Sequence, residues 1–401
     1  MAAIPDVRFL DRTTPPHMAT LILIAGVAAL SQTIFLPSLA HMAEHFGTSY
    51  AVMQLAVSGY LLTTSVLQIL VGSIADTLGR RPVMLGALSV FVLASLAAPF
   101  APNVGVFLTL RMLQGVAVAG IVLSRAVVRD MVGQNEAASR LGYITMGMAL
   151  IPLVGPTIGG VLDEAWGWEA SFVLLAFAGA LVLTLVTADQ GETVRARGEG
   201  LAAQVRRYPL LLRSRRFWGY SLCATFASGA FFALLGGAAF VSGRIFDLSP
   251  MWTGIALGSP SVGYILGNFI AGRFSARVGI DRMALAGCAV AATGLGASLL
   301  LTVLGLGGAW VFFGFCIFLG LGNGMTLPNA MAGSISVRPE LAGTASGLSG
   351  AIMTAGGAVL SVLAAAVLSA ETGTWPLQAI MVGSVAVAGL MLLLVRGSAQ
   401  D

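Results

Sequence analysis

The sequence predicts an all-α membrane protein with twelve transmembrane helices in two pseudo-symmetric six-helix bundles. Three observations predict it. Of 401 residues, 57% are apolar and only 9% are charged, against about 25% charged in an ordinary soluble domain. The apolar residues fall in uninterrupted runs long enough for spans of about 20 residues, and the mean hydropathy is +0.91. The charges gather between those runs. A barrel would instead show short segments of alternating polarity.

The runs place spans at 18–40, 50–74, 82–100, 104–128, 141–161, 170–188, 217–241, 251–271, 283–306, 309–334, 341–369 and 376–395. Before the first, Arg8 and Arg12 balance Asp6 and Asp11. A signal peptide would start positive, so span one is expected to stay in the mature protein. With the N-terminus inside, nineteen of the twenty-one arginines fall on cytoplasmic segments, Arg244 alone is in an external loop, and Arg111 lies inside span four. That asymmetry sets the orientation, with both termini cytoplasmic. All six tryptophans (166, 168, 218, 252, 310 and 375) sit at span ends, where an aromatic belt is expected.

Composition excludes several chemistries. All 21 basic residues are arginine, so there is no Walker A loop, no pyridoxal or retinal Schiff base and no lysine nucleophile. Cys223, Cys288 and Cys316 lie in separate apolar runs and read as small core residues. A pI near 9.3 invites nucleic acid as a partner, but arginines spaced between apolar blocks describe topology instead. The segment His41-Met-Ala-Glu44-His45 matches a zinc-protease pattern. It has no third ligand nearby and reads as an interfacial helix end. No metal, cofactor or catalytic residue is expected.

The chain repeats itself. Gly72-Ser-Ile-Ala-Asp-Thr-Leu-Gly79 and Gly272-Arg-Phe-Ser-Ala-Arg-Val-Gly279 match at an offset of 200, each after the second span of its half. Between the halves, Asp189 to Arg216 carries seven arginines and three acids. The expected organisation is therefore 1–188, a six-helix bundle; 189–216, a cytoplasmic linker; and 217–401, a second bundle. Duplication of this kind is common in secondary transporters, with substrate bound near the midplane between repeats.

Three motifs carry a family resemblance. The loop Gly72-Ser-Ile-Ala-Asp76-Thr-Leu-Gly79-Arg80-Arg81-Pro82 closely resembles the cytoplasmic loop motif between spans two and three of the major facilitator superfamily. Its glycines permit a tight turn, and Asp76 with Arg80 and Arg81 can form a charge relay. Its second copy has Ala276 in place of Asp76. In span five, the stretch from Gly147 to Gly160, with Gly155, Pro156 and Gly159, resembles the Gly-Pro-rich signature of antiporters in that superfamily; prolines bend a helix and small residues let a neighbour approach. In span four, Arg111-Met-Leu-Gln114-Gly115 is similar to the family's Arg-x-x-Gln-Gly motif, and Ser124-Arg125-Ala-Val-Val-Arg129-Asp130 ends the span. Together they resemble drug:proton antiporters of the bicyclomycin- and chloramphenicol-resistance type.

The resemblance implies a polyspecific exporter in the bacterial inner membrane, working by alternating access, driven by protons and monomeric. An importer of a siderophore or nutrient, or a transporter-like sensor without turnover, would share the fold. The chain departs from the resemblance in span one. Where relatives carry a run like Ser-Thr-Asp-Met-Tyr-Leu-Pro, this one reads Ser31-Gln32-Thr33-Ile34-Phe35-Leu36-Pro37, so Thr33 replaces the expected carboxylate. An arginine in a span must face a cavity or a partner. Arg111 is therefore expected to line the central cavity with Gln114, favouring neutral or anionic cargo. Further cavity candidates are Gln32, Thr33, Phe35, Met146, Phe231, Tyr264, Asn268, Asn323 and Asn329. Asp76 is expected to cap span eleven near Gly343 in the outward-facing state, with Arg80 or Arg81 pairing Asp130.

Overall fold

The computed structural model describes residues 7–132, 134–194, 201–338, 341–369 and 371–396. The first six-helix set comprises α1 (Met18–His45), α2 (Tyr50–Leu78), α3 (Arg80–Phe100), α4 (Val104–Met131), α5 (Gln134–Trp166) and α6 (Glu169–Asp189). After a linker helix, Leu201–Leu212, come α7 (Arg215–Ile245), α8 (Pro250–Val278), α9 (Ile280–Leu306), α10 (Ala309–Ser336), α11 (Ala342–Val367) and α12 (Trp375–Arg396). Eleven of these are long and apolar enough to cross a bilayer; α5, some of whose side chains lie outside the described residues, occupies the fifth place.

The helix boundaries follow local chemistry. Ser49, Asn103 and Ser214 accept backbone N–H bonds at the starts of α2, α4 and α7, satisfying donors that have no intrahelical partner. Pro37 sits in a 3-10 turn, Leu36–Ser38, that interrupts α1. Gly79 and Gly279 end α2 and α8 with φ of +105° and +91°, a backbone region favouring glycine. The same turn thus closes the second span of each half, as the sequence repeat implies.

Pairing within each half repeats six helices later. Helix α1 packs on α4, α5 and α6, and α7 packs on α10, α11 and α12. Likewise α2 meets α4 and α3 meets α6, while α8 meets α10 and α9 meets α12. The helices differ in burial: 72% of the apolar window of α1 and 78% of that of α7 lie inside, against 22% for α9. So α1 and α7 are central and α9 peripheral. Outward-facing Leu93, Phe177, Leu181, Phe269, Leu300 and Leu394 are exposed, an apolar girdle suited to acyl chains. Five tryptophans are exposed at helix ends, but Trp168 is 4% exposed. It leaves the expected belt and packs against His45, Phe46, Phe107 and Phe172, because α6 starts against the inner aromatic core.

Candidate functional site

Between the halves lies a cavity of about 870 Å³ lined by helices of both. Its deep wall includes Gln32, Thr64, Met148 and Phe232, and its mouth carries Asp76, Arg80, Arg129, Asp130, Arg207 and Gly343. Gln32 lies fourteen residues into α1, which at 1.5 Å per residue is about 21 Å from the arginine-rich end, past the bilayer midplane. On α2 the lining residues Thr64, Gln68, Gly72 and Asp76 recur every fourth position, a polar stripe down one helix face.

The opposite end of the cavity is sealed. Gln54 Nε2 donates to Ser361 Oγ at 2.8 Å, Ser65 Oγ to the Ala351 carbonyl at 2.8 Å, and the Tyr50 hydroxyl to the Gly236 carbonyl at 3.1 Å. The Met251 N–H donates to Glu164 Oε1 at 2.9 Å, and Arg244 pairs with Glu44 at 2.9 Å. Every one of these bonds joins the two halves. Helices α5 and α8 approach backbone to backbone: a methyl group on Gly160 would lie 2.2 Å from the Pro250 carbonyl oxygen, and one on Gly254 would lie 2.3 Å from that of Pro156. The Gly-Pro-rich stretch is thus a seam. Two further glycines of the stretch, Gly155 and Gly159, face α1 at Thr33 and Ile34.

At the arginine-rich face, Arg80 holds two carboxylates, pairing Asp76 through Nη1 and Asp130 through Nε at 3.1 Å. Glu192, after α6, accepts the Arg80 and Arg81 N–H groups at 2.9 and 3.1 Å, capping α3 with an anion. Arg81 itself donates to the Thr187 carbonyl at 3.0 Å. The Arg80–Asp130 pair, expected of the outward-facing state, is present here with the arginine-rich face open. Asp76 and Gly343 line the same cavity and no bond joins them in this conformation.

Arg111 corrects the sequence reading. It is 0% exposed and does not line the cavity. Its guanidinium lies 4.1 Å from the Phe35 ring centroid and 4.5 Å from that of Tyr60. It donates to Gln114 Oε1 and, at 3.3 Å, to the Ser31 carbonyl. Gln114 in turn donates to Ser95 at 2.8 Å. Two aromatic faces and two acceptors hold the cation inside the first half, with Nε buried and without a hydrogen-bond partner.

Of the other candidates, Gln32 and Gly343 line the cavity, whereas Thr33, Phe35, Gln114, Phe231, Tyr264, Asn268, Asn323 and Asn329 do not. Thr33 is buried against Gly155. Asn268 and Asn329 donate to carbonyls one turn back in their own helices, spending their amides locally. Phe232 takes the wall position, beside Phe231. The Met146 side chain lies outside the described residues. The residues that were missed as a lining, Gln68, Arg125, Thr354 and Met353, carry one legible signal: spacing of three or four along α2, α4 and α11.

The zinc-like segment disperses. His41 pairs with Asp163 at 2.9 Å, Glu44 with Arg244, and His45 meets Phe46 and Trp168 edge to face. Among the described residues no group of three His, Cys, Asp or Glu side chains could hold a metal ion.

The model of the Major Facilitator Superfamily matches residues 21–361. The chain is 29% identical over 390 residues to multidrug resistance protein D of Escherichia coli (strain K12), covering 95% of this chain and 96% of that one. It is 29% identical over 360 residues to a bicyclomycin resistance protein homolog of Haemophilus influenzae, covering 88% and 90%. Among solved structures it is similar to a bacterial homolog of the human lysosomal transporter Spinster, in an inward-facing and unoccupied conformation. The TM-score is 0.70 at 16% identity, with 94% of this chain and 96% of that chain covered; the likeness is one of fold.

Proposed function

The chain belongs to the major facilitator superfamily, and from that premise we propose that this multi-pass membrane protein is a proton-coupled exporter of drugs or other small molecules. The observation that carries the proposal is the cavity, shared by both halves, open at the arginine-rich face and sealed opposite by α5–α8 and α2–α11 contacts. Such a cavity is half of an alternating-access cycle. The relatives named for multidrug and bicyclomycin resistance support export of small molecules. Residues 1–188 and 217–401 are the two rocking units, and 189–216 is the tether.

In the bacterial inner membrane, arginine placement supports a cytoplasmic side for the open mouth and both termini. Cargo enters there, neutral or anionic. Halves that share no covalent link besides the tether exchange seams as the open mouth closes. Protons use Asp76 and Asp130, the two carboxylates of the cavity lining, since Thr33 offers none. The carrier acts as a monomer without a chemical step.

The test is flux. Purified full-length protein in liposomes is expected to move chloramphenicol against its gradient when a pH difference is imposed, and to stop when the difference is collapsed. Saturable binding without flux would overturn the transport reading.

A further inference from the structure

We propose that Arg125 and Arg129 form an anion-binding site in the cavity, and that the cargo it selects is an amphiphilic organic anion. Such a molecule carries a carboxylate, sulfonate or phosphate on an apolar body. This rests on the reading of the cavity as the transport site and adds to it a charge class.

The argument begins with the charges of the lining: four arginines, 80, 125, 129 and 207, against two acids, Asp76 and Asp130. Both acids are committed to Arg80, and Asp130 also accepts from the Thr193 hydroxyl at 3.1 Å. Among the described residues neither Arg125 nor Arg129 is in an ion pair. The one bond shown for Arg129 is from Nε to the Arg125 carbonyl at 3.4 Å. Both side chains are exposed to the cavity, one helical turn apart on the same face of α4.

Two like charges at that spacing repel one another. Placing them in a concave site with apolar walls concentrates the positive potential. Guanidinium groups offer paired donors that fit the oxygens of carboxylates, sulfonates and phosphates. A merely topological arginine would turn to the headgroups, but these two turn inward. One turn deeper on α4, Ile121 and Val122 also line the cavity, and Met148, Phe232, Met331 and Met353 complete an apolar chamber from four other helices. Deformable methionines suit varied apolar shapes. Charged head at the mouth and apolar body within is the orientation this arrangement accepts.

The test uses purified full-length protein in neutral detergent, with naphthalene-2-sulfonate as the anionic probe and tetraphenylphosphonium as the cationic one. The wild type is expected to bind the sulfonate, more weakly as salt rises, and tetraphenylphosphonium at least tenfold less tightly. The double variant Arg125→Gln/Arg129→Gln should lose sulfonate affinity at least tenfold, and Arg125→Lys/Arg129→Lys should retain most of it. Arg273→Gln/Arg277→Gln, an equal loss of two charges at exposed sites outside the cavity, should change nothing. Unaltered sulfonate affinity in the Gln double variant, or tighter binding of tetraphenylphosphonium than of sulfonate by the wild type, would overturn the site. Should the Gln variant fail to fold, competition on the wild type decides. Displacement of the probe by dihexanoyl-phosphatidylglycerol and by no soluble organic anion would assign the site to a lipid headgroup and overturn the cargo. Chloramphenicol flux without sulfonate binding would overturn the anion site and leave the transport reading standing. Sulfonate binding without flux of any solute would do the reverse.

Discussion

The carboxylate of Glu164, at the end of α5, accepts the Met251 N–H in the first turn of α8, 2.9 Å away. The bond crosses from one half of the molecule to the other, and places an anion where the α8 dipole is positive. Just below it, Gly160 and Gly254 let the two backbones touch. Capping and close approach together make the seal of this face.

Widening the seam should open it. At Gly160 any added Cβ meets the backbone of Pro250, which cannot rotate aside as a side chain could. Overpacking of this kind costs about 1–3 kcal/mol, roughly 5- to 150-fold in the population of the sealed conformation. A Ser242→Cys reporter, buried on this face, should react faster with an impermeant maleimide when Gly160→Val is added. An unchanged rate would count against the seam.

The Glu164 latch should be indifferent to ordinary pH. Hydrogen bonds from Ser249 and the Met251 N–H hold its carboxyl below the usual carboxylate range. A carboxylate lowered in the sealed conformation stabilises that conformation fully above its ordinary value of about 4.3, and the contribution is lost as pH falls through the lowered value. Reporter labelling should therefore be flat between about pH 6 and 8 and rise only in acid. Glu164→Gln should label faster at every pH in that range. A wild-type transition near pH 7 would assign the proton-sensitive group elsewhere on this face.

Arg111 should matter to folding more than to binding. Removing it takes a buried cation from two aromatic rings and orphans Gln114 Oε1 and the Ser31 carbonyl. Arg111→Gln is expected to cost about 2–4 kcal/mol of stability, read as a lower melting temperature in detergent. The fraction that folds should bind cargo with unaltered affinity. Loss of binding at full stability would put Arg111 back in the cavity.

Asp76 and Gly343 line the mouth of one cavity without touching. When the mouth closes, Asp76 is proposed to cap the start of α11, a contact worth about 0.3–1 kcal/mol at an exposed site and up to about 2 when partly buried. Asp76→Asn should slow export and raise the share of molecules open at the arginine-rich face. Normal flux with unchanged cysteine accessibility would remove the latch.

The proposed orientation predicts that single cysteines in the 189–216 linker stay unlabelled by an impermeant reagent in intact cells, while one beside Arg244 reacts. Strong labelling of the linker from outside would invert the topology.

The helices were legible because a bilayer demands continuous apolar runs, and those runs cannot be hidden by tertiary contact. The repeat was legible at Gly79 and Gly279, since a left-handed turn needs the same residue in both halves. Gln32, expected in the cavity, and Gly343, expected only at the start of span eleven, both line it. Arg111 was misread for a reason that applies widely: a buried cation needs partners, and sequence names the need without naming the supplier. Phe35 and Tyr60, from α1 and α2, supply what cargo was expected to supply. Trp168 went astray likewise, at a span end yet turned inward.

What the sequence by itself determined is what lipid and water impose on each segment alone: the number of spans, their ends, the duplicated turn and the side on which arginines gather. What only the tertiary structure decided is direction. The rotation of α4 turns Arg125 and Arg129 into the cavity and Arg111 away from it, and the contact of α5 with α8 makes a Gly-Pro run a seal. Helical periodicity shows which residues share a face, but which neighbour that face meets depends on packing between helices far apart in the chain.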